Sequence, residues 1–250
     1  LTMIFIKCPR GEIGRRAYLI FFNIISWQTL CALGYNIKYK MKRLNKVKIE
    51  WSPSFAYAIG LIATDGNLSS DKRHMNMTSK DKELIMTFKK CLGLKNKIGR
   101  KTREKSKVKK YFQVQFGDKN FYEFLLSLGL TPAKSKTLNK LELPKKYFAD
   151  FLRGCIDGDG NIDIHSHPES QHLQLRIRLN SASINFVNWI KGEITQLIKP
   201  KGGWVENYSG VYILSYGKAD SIKLLNFMYY PKVESYLKRK YVIARQFLGR

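Results

Sequence analysis

The sequence is poor in acid and in cysteine. Only 19 of its 250 residues are Asp or Glu, against 45 Lys and Arg, which leaves a formal charge of +26. A field of that sign attracts polyanions, and nucleic acid is the commonest such partner. The four cysteines (Cys8, Cys31, Cys91, Cys155) are scattered, with no CxxC pair. That spacing argues against a zinc finger or a disulfide framework. It fits a reducing compartment, cytoplasm or organellar matrix. Long apolar runs are missing as well. Ala17 to Tyr35 is broken by Asn23, Gln28 and Gly34, so it makes a poor membrane span and no membrane is expected. It also lacks the small-residue cleavage site of a secretory signal. Met41 stands just before the basic run KRLNKVK. Residues 1–48 are accordingly expected to be an N-terminal extension, poorly structured or upstream reading frame.

What is present is a repeat. FAYAIGLIATDGNL (Phe55 to Leu68) aligns without gaps with ADFLRGCIDGDGNI (Ala149 to Ile162), pairing Gly60 with Gly154 and Asp65 with Asp159. QFGDKNFYEFLLSL (Gln115 to Leu128) matches SYGKADSIKLLNFM (Ser215 to Met228) in pattern. Two copies imply a pseudo-twofold body, since a solenoid needs three or more. The boundaries expected are 49–145 and 146–250. Each copy reads as an apolar helix ending at DGN, two strands, a helix, two strands and a helix: αββαββα, an α+β fold.

The strands alternate with a period of two, as half-buried antiparallel strands do. LQLRIRLNS places Leu173, Leu175, Ile177 and Leu179 on one face, and Gln174, Arg176, Arg178 and Asn180 on the other. HMNMTS turns Met75 and Met77 inward and His74, Asn76 and Thr78 outward. YFQVQF separates Phe112, Val114 and Phe116 from Tyr111, Gln113 and Gln115. Leu84, Ile85, Phe88, Leu92 and Leu94 keep helical spacing and are expected under the sheet. A purely solvated sheet face more often carries Lys, Glu and Thr. Arg, Gln, Asn, Thr and His can read base edges in the major groove. Asn161, Asp163 and Tyr212 join this base-reading set. Lys101 and Arg103, in the charge run GRKTREKSKVKK, are expected at phosphates.

The helices ending IATDG and IDGDG each carry small residues four apart: Gly60 and Thr64, Gly154 and Gly158. Such spacing lets two helices approach closely, with Gly60 and Gly154 at their interface. Asp65 and Asp159 then emerge together at two helix C-termini, where unpaired carbonyls already concentrate negative charge. Two carboxylates there repel unless cations sit between them. Mg²⁺, held by a few carboxylates with water and phosphate oxygens filling its other positions, meets that need. Carboxylate-bound metals are a means of hydrolysing phosphodiesters.

AIGLIATDG (Ala58 to Gly66) and LRGCIDGDG (Leu152 to Gly160) resemble the motifs of the LAGLIDADG homing endonucleases, in their single-chain, two-motif form. The resemblance implies two four-stranded antiparallel sheets forming a saddle on the major groove. It also implies a monomer that hydrolyses both strands of a long, imperfectly symmetric duplex site, using Mg²⁺ or Mn²⁺. The metal-binding acids would be Asp65 and Asp159, with the carbonyls of Thr64 and Gly158 as added ligands. A basic residue near the metals is also implied, matched best by Lys134 and Lys240. The sixth motif position, Ala63 in one copy and Asp157 in the other, faces away from the metal in the family. Asp157 itself is expected as a helix-end residue. The same fold serves as intron maturases that bind RNA and as regulators that have lost the acids, so intron RNA is a second partner to consider. Both acids are present, which argues against a pure binding module.

Competing chemistries fit poorly. A calcium loop beginning at Asp157 would put Ile162 where glycine is needed and Pro168 where glutamate is needed. His165, His167 and His172 have no cysteine or second ligand pair beside them, so a polar hairpin explains them better than zinc. The chain ends FLGR, without the His-Asn pair of an intein.

Overall fold

A computed structural model describes residues 45–102, 110–167 and 170–248. Residues 1–44, and Arg103 with the rest of the charge run through 109, lie outside the described residues.

The first motif forms helix α1 (Pro53–Thr64). Ser52 caps it by accepting a hydrogen bond from Phe55 N, and Pro53 supplies a preset φ at the first turn. Every residue from Phe55 to Ala63 is buried, so α1 is a central helix rather than a surface one. Strands β1 (Gly66–Leu68) and β2 (His74–Ser79) follow, then α2 (Lys82–Cys91), β3 (Gly99–Lys101), β4 (Tyr111–Gly117) and α3 (Lys119–Ser127). The second copy repeats this order with α4 (Phe148–Asp159), β5 (Gly160–His167), β6 (Ser170–Ser181), α5 (Ile184–Ile198), β7 (Trp204–Tyr208), β8 (Val211–Tyr216) and α6 (Lys218–Met228). A short helix α7 (Lys238–Ala244) closes the described chain.

Both sheets are four-stranded and antiparallel, ordered β1-β2-β4-β3 and β5-β6-β8-β7. Identical order in both copies is the αββαββα pseudo-symmetry expected of the repeat. The period of two holds through most strands. Met75, Met77, Val114, Phe116, Leu175, Ile177 and Leu179 are all buried, and so are Leu84, Ile85, Phe88, Leu92 and Leu94. Leu173 departs from that reading: it is 52% exposed, on β6 well before the stretch that β8 pairs. Phe112 is only half-buried, and Arg100 lies against its ring.

Charged residues also fasten the core. Arg153 is buried on α4 and donates to Asp150 Oδ1 (2.5 Å), Ser235 O (2.7 Å) and Met228 O (2.5 Å). Asp157 is equally buried, accepting from Tyr57 Oη on α1 (2.7 Å) and Leu237 N (2.8 Å). It is therefore a brace between the helix pair and the C-terminal segment, where the sequence suggested only a helix-end residue. Buried ionised groups persist only when paired in this way.

Candidate active site and nucleic-acid interface

The site begins with glycine. A Cβ built on Gly60 would overlap the carbonyl oxygen of Phe151, and one on Gly154 would overlap that of Tyr57. A third on Gly158 would overlap the Thr64 hydroxyl. The backbones of α1 and α4 therefore run directly against each other, with Cys155 Sγ reaching Gly60 O at 3.7 Å. Side-chain bulk at any of these positions would force the helices apart.

This contact brings the two helix C-termini together. Asp65 caps α1 and Asp159 is the last residue of α4. Partial burial and the facing Asp159 charge push the Asp65 carboxyl up to about 6. Asp159 is also raised by desolvation, although its side chain stands more open to solvent than that of Asp65. A cation between the two would reverse both shifts.

Two lysines flank the acids. Lys134, on a 3-10 turn (Lys134–Lys136), is buried and its Nζ donates to Gly66 O. Lys240, on α7, is buried and donates to Gly160 O (2.7 Å), Ile156 O (2.5 Å) and Asp157 O (3.0 Å). Gly66 and Gly160 are equivalent residues, each directly following its acid. Two lysines from non-equivalent elements thus bind the same carbonyl in each half. Burial lowers both ammonium groups to about 8, while the nearby carboxylates pull the other way.

Asp65, Asp159, Lys134 and Lys240 are thereby gathered into one place, with Thr64 and Gly158 beside them. Among the described residues no group of three or more His, Cys, Asp or Glu could hold an ion. A pair of carboxylates with open positions suits Mg²⁺, which keeps several waters, better than an ion that needs an all-protein cage.

The polar sheet faces carry most of the remaining candidates. In the first sheet Asn76 lies opposite Asn67 and Gln115, and Thr78 opposite Gln113. In the second, Asn161 lies opposite Arg178 and Asp163 opposite Arg176, with Gln174 and Asn180 along the same face. Lys101 is exposed at the end of β3. His74 is tied to Asp71 through its Nδ1. Tyr212 belongs elsewhere: it shares the side of β8 that carries Leu214 and Tyr216 and packs on the core, so the polar face lacks it. Trp204 had no signal in the alternation and also borders the second of these faces, Arg176 lying beside its ring, whereas Arg100 pairs with Phe112 on the opposite side of the first sheet.

Residues 52–129 match a protein-family profile described as a LAGLIDADG-like domain. This part of the chain is a LAGLIDADG-like domain. Both sheets with their helices match the LAGLIDADG fold of solved structures. The meganuclease I-SmaMI, bound to uncleavable DNA, is 14% identical over 78% of this chain and 90% of its own, at a TM-score of 0.51. Full-length DUF199/WhiA from Thermatoga maritima is 14% identical over 82% of this chain, at a TM-score of 0.50. The chain spans 65% of the length of that second structure. I-DmoI in complex with DNA and Mn is 14% identical over 72% of this chain and 98% of its own, at a TM-score of 0.48. Such identities establish fold alone. No curated protein matches the chain in sequence. Among the described residues no helix is long and apolar enough to cross a membrane.

Proposed function

We propose that the chain is a monomeric, metal-dependent endonuclease that hydrolyses both strands of a specific DNA duplex and is encoded within an intron. One observation carries this reading: Asp65 and Asp159 meet at the ends of two packed helices, each beside a buried lysine, between two sheets with polar faces. A module that only bound DNA would gain nothing from two mutually repelling carboxylates, whose charge is costly where they sit.

Asp65 and Asp159 would hold the metal, with the carbonyls of Thr64 and Gly158 in reach. Bound Mg²⁺ or Mn²⁺ supplies a water of lowered pKa and charge stabilisation on the leaving oxygen. The protein's own residues do the positioning. Lys134 has one carbonyl acceptor and keeps donors to offer a phosphate oxygen, whereas Lys240 spends three on the end of α4. The sheets set the register of the duplex over the acids, and the basic surface draws it in.

Selection of cleaved duplexes from a random library, with Mg²⁺, should enrich one long site. Asp65→Asn or Asp159→Asn should reduce double-strand cutting by at least the roughly hundredfold that loss of a supporting partner costs a metal site. Binding of the same duplex should persist, and EDTA should abolish cutting without abolishing binding. Mg²⁺-dependent cutting by the double variant would overturn the mechanism. Binding of structured intron RNA with no cleavage of any duplex would favour an RNA-binding role on this fold.

A further inference from the structure

The two sheets carry different base-reading chemistry at equivalent positions. In the first, Gly66 faces Met77 and Asn67 faces Asn76. In the second, Gly160 faces Leu179 and Asn161 faces Arg178. Both ladders start immediately after the acids, so Asn76 and Arg178 are equivalents, each paired with an asparagine. One step outward, Asp163 faces Arg176, where the first sheet has Ser69 donating its N–H to His74 O.

Arg178 and Asp163 form a held unit. Arg178 Nη2 donates to Asp163 Oδ1 at 3.1 Å, and Asn161 Nδ2 donates to the same oxygen at 3.0 Å. Among the described residues Asp163 Oδ2 meets only His165 Nδ1, 4.0 Å away. A guanidinium fixed by a carboxylate loses little side-chain freedom when its remaining donors meet a planar acceptor pair. Guanine O6 and N7 form such a pair, and a free carboxylate oxygen accepts from cytosine N4. A carboxylate so placed is unsuited to phosphate. Opposite chemistry stands at the first-sheet position. Asn76, with Asn67 and Gln115 across the ladder, is an amide set, and amides pair bidentately with adenine N6 and N7.

We propose that the target breaks its twofold symmetry at this position: A·T under Asn76, and G·C under Arg178 and Asp163, with Arg178 on guanine and Asp163 on a cytosine amine. Asp163 lies four residues beyond Asp159, roughly 13 Å at strand rise, so the contrast falls within about four base pairs of the cut. The inference rests on the reading that these sheets bind duplex DNA.

The test is selection of bound duplexes from a random library in EDTA, using the full chain. The expected result is a long site with adenine on the Asn76 side and guanine at the matching position on the Arg178 side. Exchanging Arg178→Asn and Asp163→Ser together, the residues of the first sheet, should move the second position to adenine and weaken binding of the original site about tenfold. Asn76→Arg, which leaves the Asp163 unit untouched, should bring guanine into the first half. A long enriched site without this contrast, or unchanged guanine selection by the double variant, overturns the inference while leaving DNA binding intact. Failure to enrich any duplex at low salt overturns the underlying reading as well.

Discussion

Asp65 carries a charge that the folded protein holds at a cost. Its carboxyl sits at about 6 against an ordinary 3.8, because burial and Asp159 both disfavour ionisation. A folded-state value above the unfolded one means the fold binds the proton more tightly. Stability is therefore gained as pH falls from about 6 toward 3.8, and the penalty is complete above about 6. A shift of that size corresponds to about 2–3 kcal/mol. Asp65→Asn should stabilise metal-free protein by about that amount at pH 8, and the gain should vanish near pH 4, as read by urea unfolding in EDTA. An equal gain at both pH values would mean that packing, not charge, is responsible. The acids were legible in the sequence because Asp-Gly ends both copies of a gapless repeat. The lysines were far less so. Pro132 and Pro231 occupy matching places, and Ala133 and Lys232 after them share left-handed backbone, with φ of 52° and 68°. In that register Lys134 stands against Val233, so no alignment leads from it to Lys240, which reaches its carbonyl from a helix of its own.

Between elements, the packing of α1 on α4 decides whether the acids meet at all. Gly154→Ala puts a methyl onto the Tyr57 carbonyl, which belongs to rigid helix backbone and cannot turn aside. The expected cost is about 1–3 kcal/mol of overpacking, or more if the pair separates. Cleavage should fall along with stability, since separating the helices also separates Asp65 from Asp159. Gly192 is the control, in the middle of α5 with open space around its Cβ position. Gly192→Ala should be neutral or stabilise by up to about 1 kcal/mol. Thermal unfolding of the two variants checks the contrast, and similar losses in both would remove the close approach as the explanation. The strands were legible from alternation alone wherever neighbours pair on both sides, as at Met75, Met77, Ile177 and Leu179. Leu173 misled because it falls where the β5–β6 register shifts, past the last regular pair at Gln174, and alternation cannot say how far a covering layer extends. Tyr212 misled because a tyrosine suits either face. The carbonyls that Arg153 reaches and the partners of the Asp157 brace left no trace, since they lie 75 to 100 residues away in the chain.

Over the whole molecule, a formal charge of +26 and two equivalent sheets make a joint claim about how binding responds to salt. Each phosphate neutralised by Lys or Arg releases condensed counterions, so the logarithm of affinity falls linearly with that of salt, by about 0.9 per contact. If both sheets lie on the duplex, contacts come from two halves. A total of about six to ten contacts would weaken binding by about 10³ to 10⁵ between 50 and 200 mM salt. A duplex carrying only one half-site offers one sheet its phosphates, so its slope should be about half that of the full site. The measurement is a pair of salt titrations by fluorescence anisotropy in EDTA. Slopes that differ about twofold place one half of the repeat on each half-site. Equal slopes would mean that a single sheet engages the duplex, and a pair of acids midway between two sheets would then have no reason to face both strands.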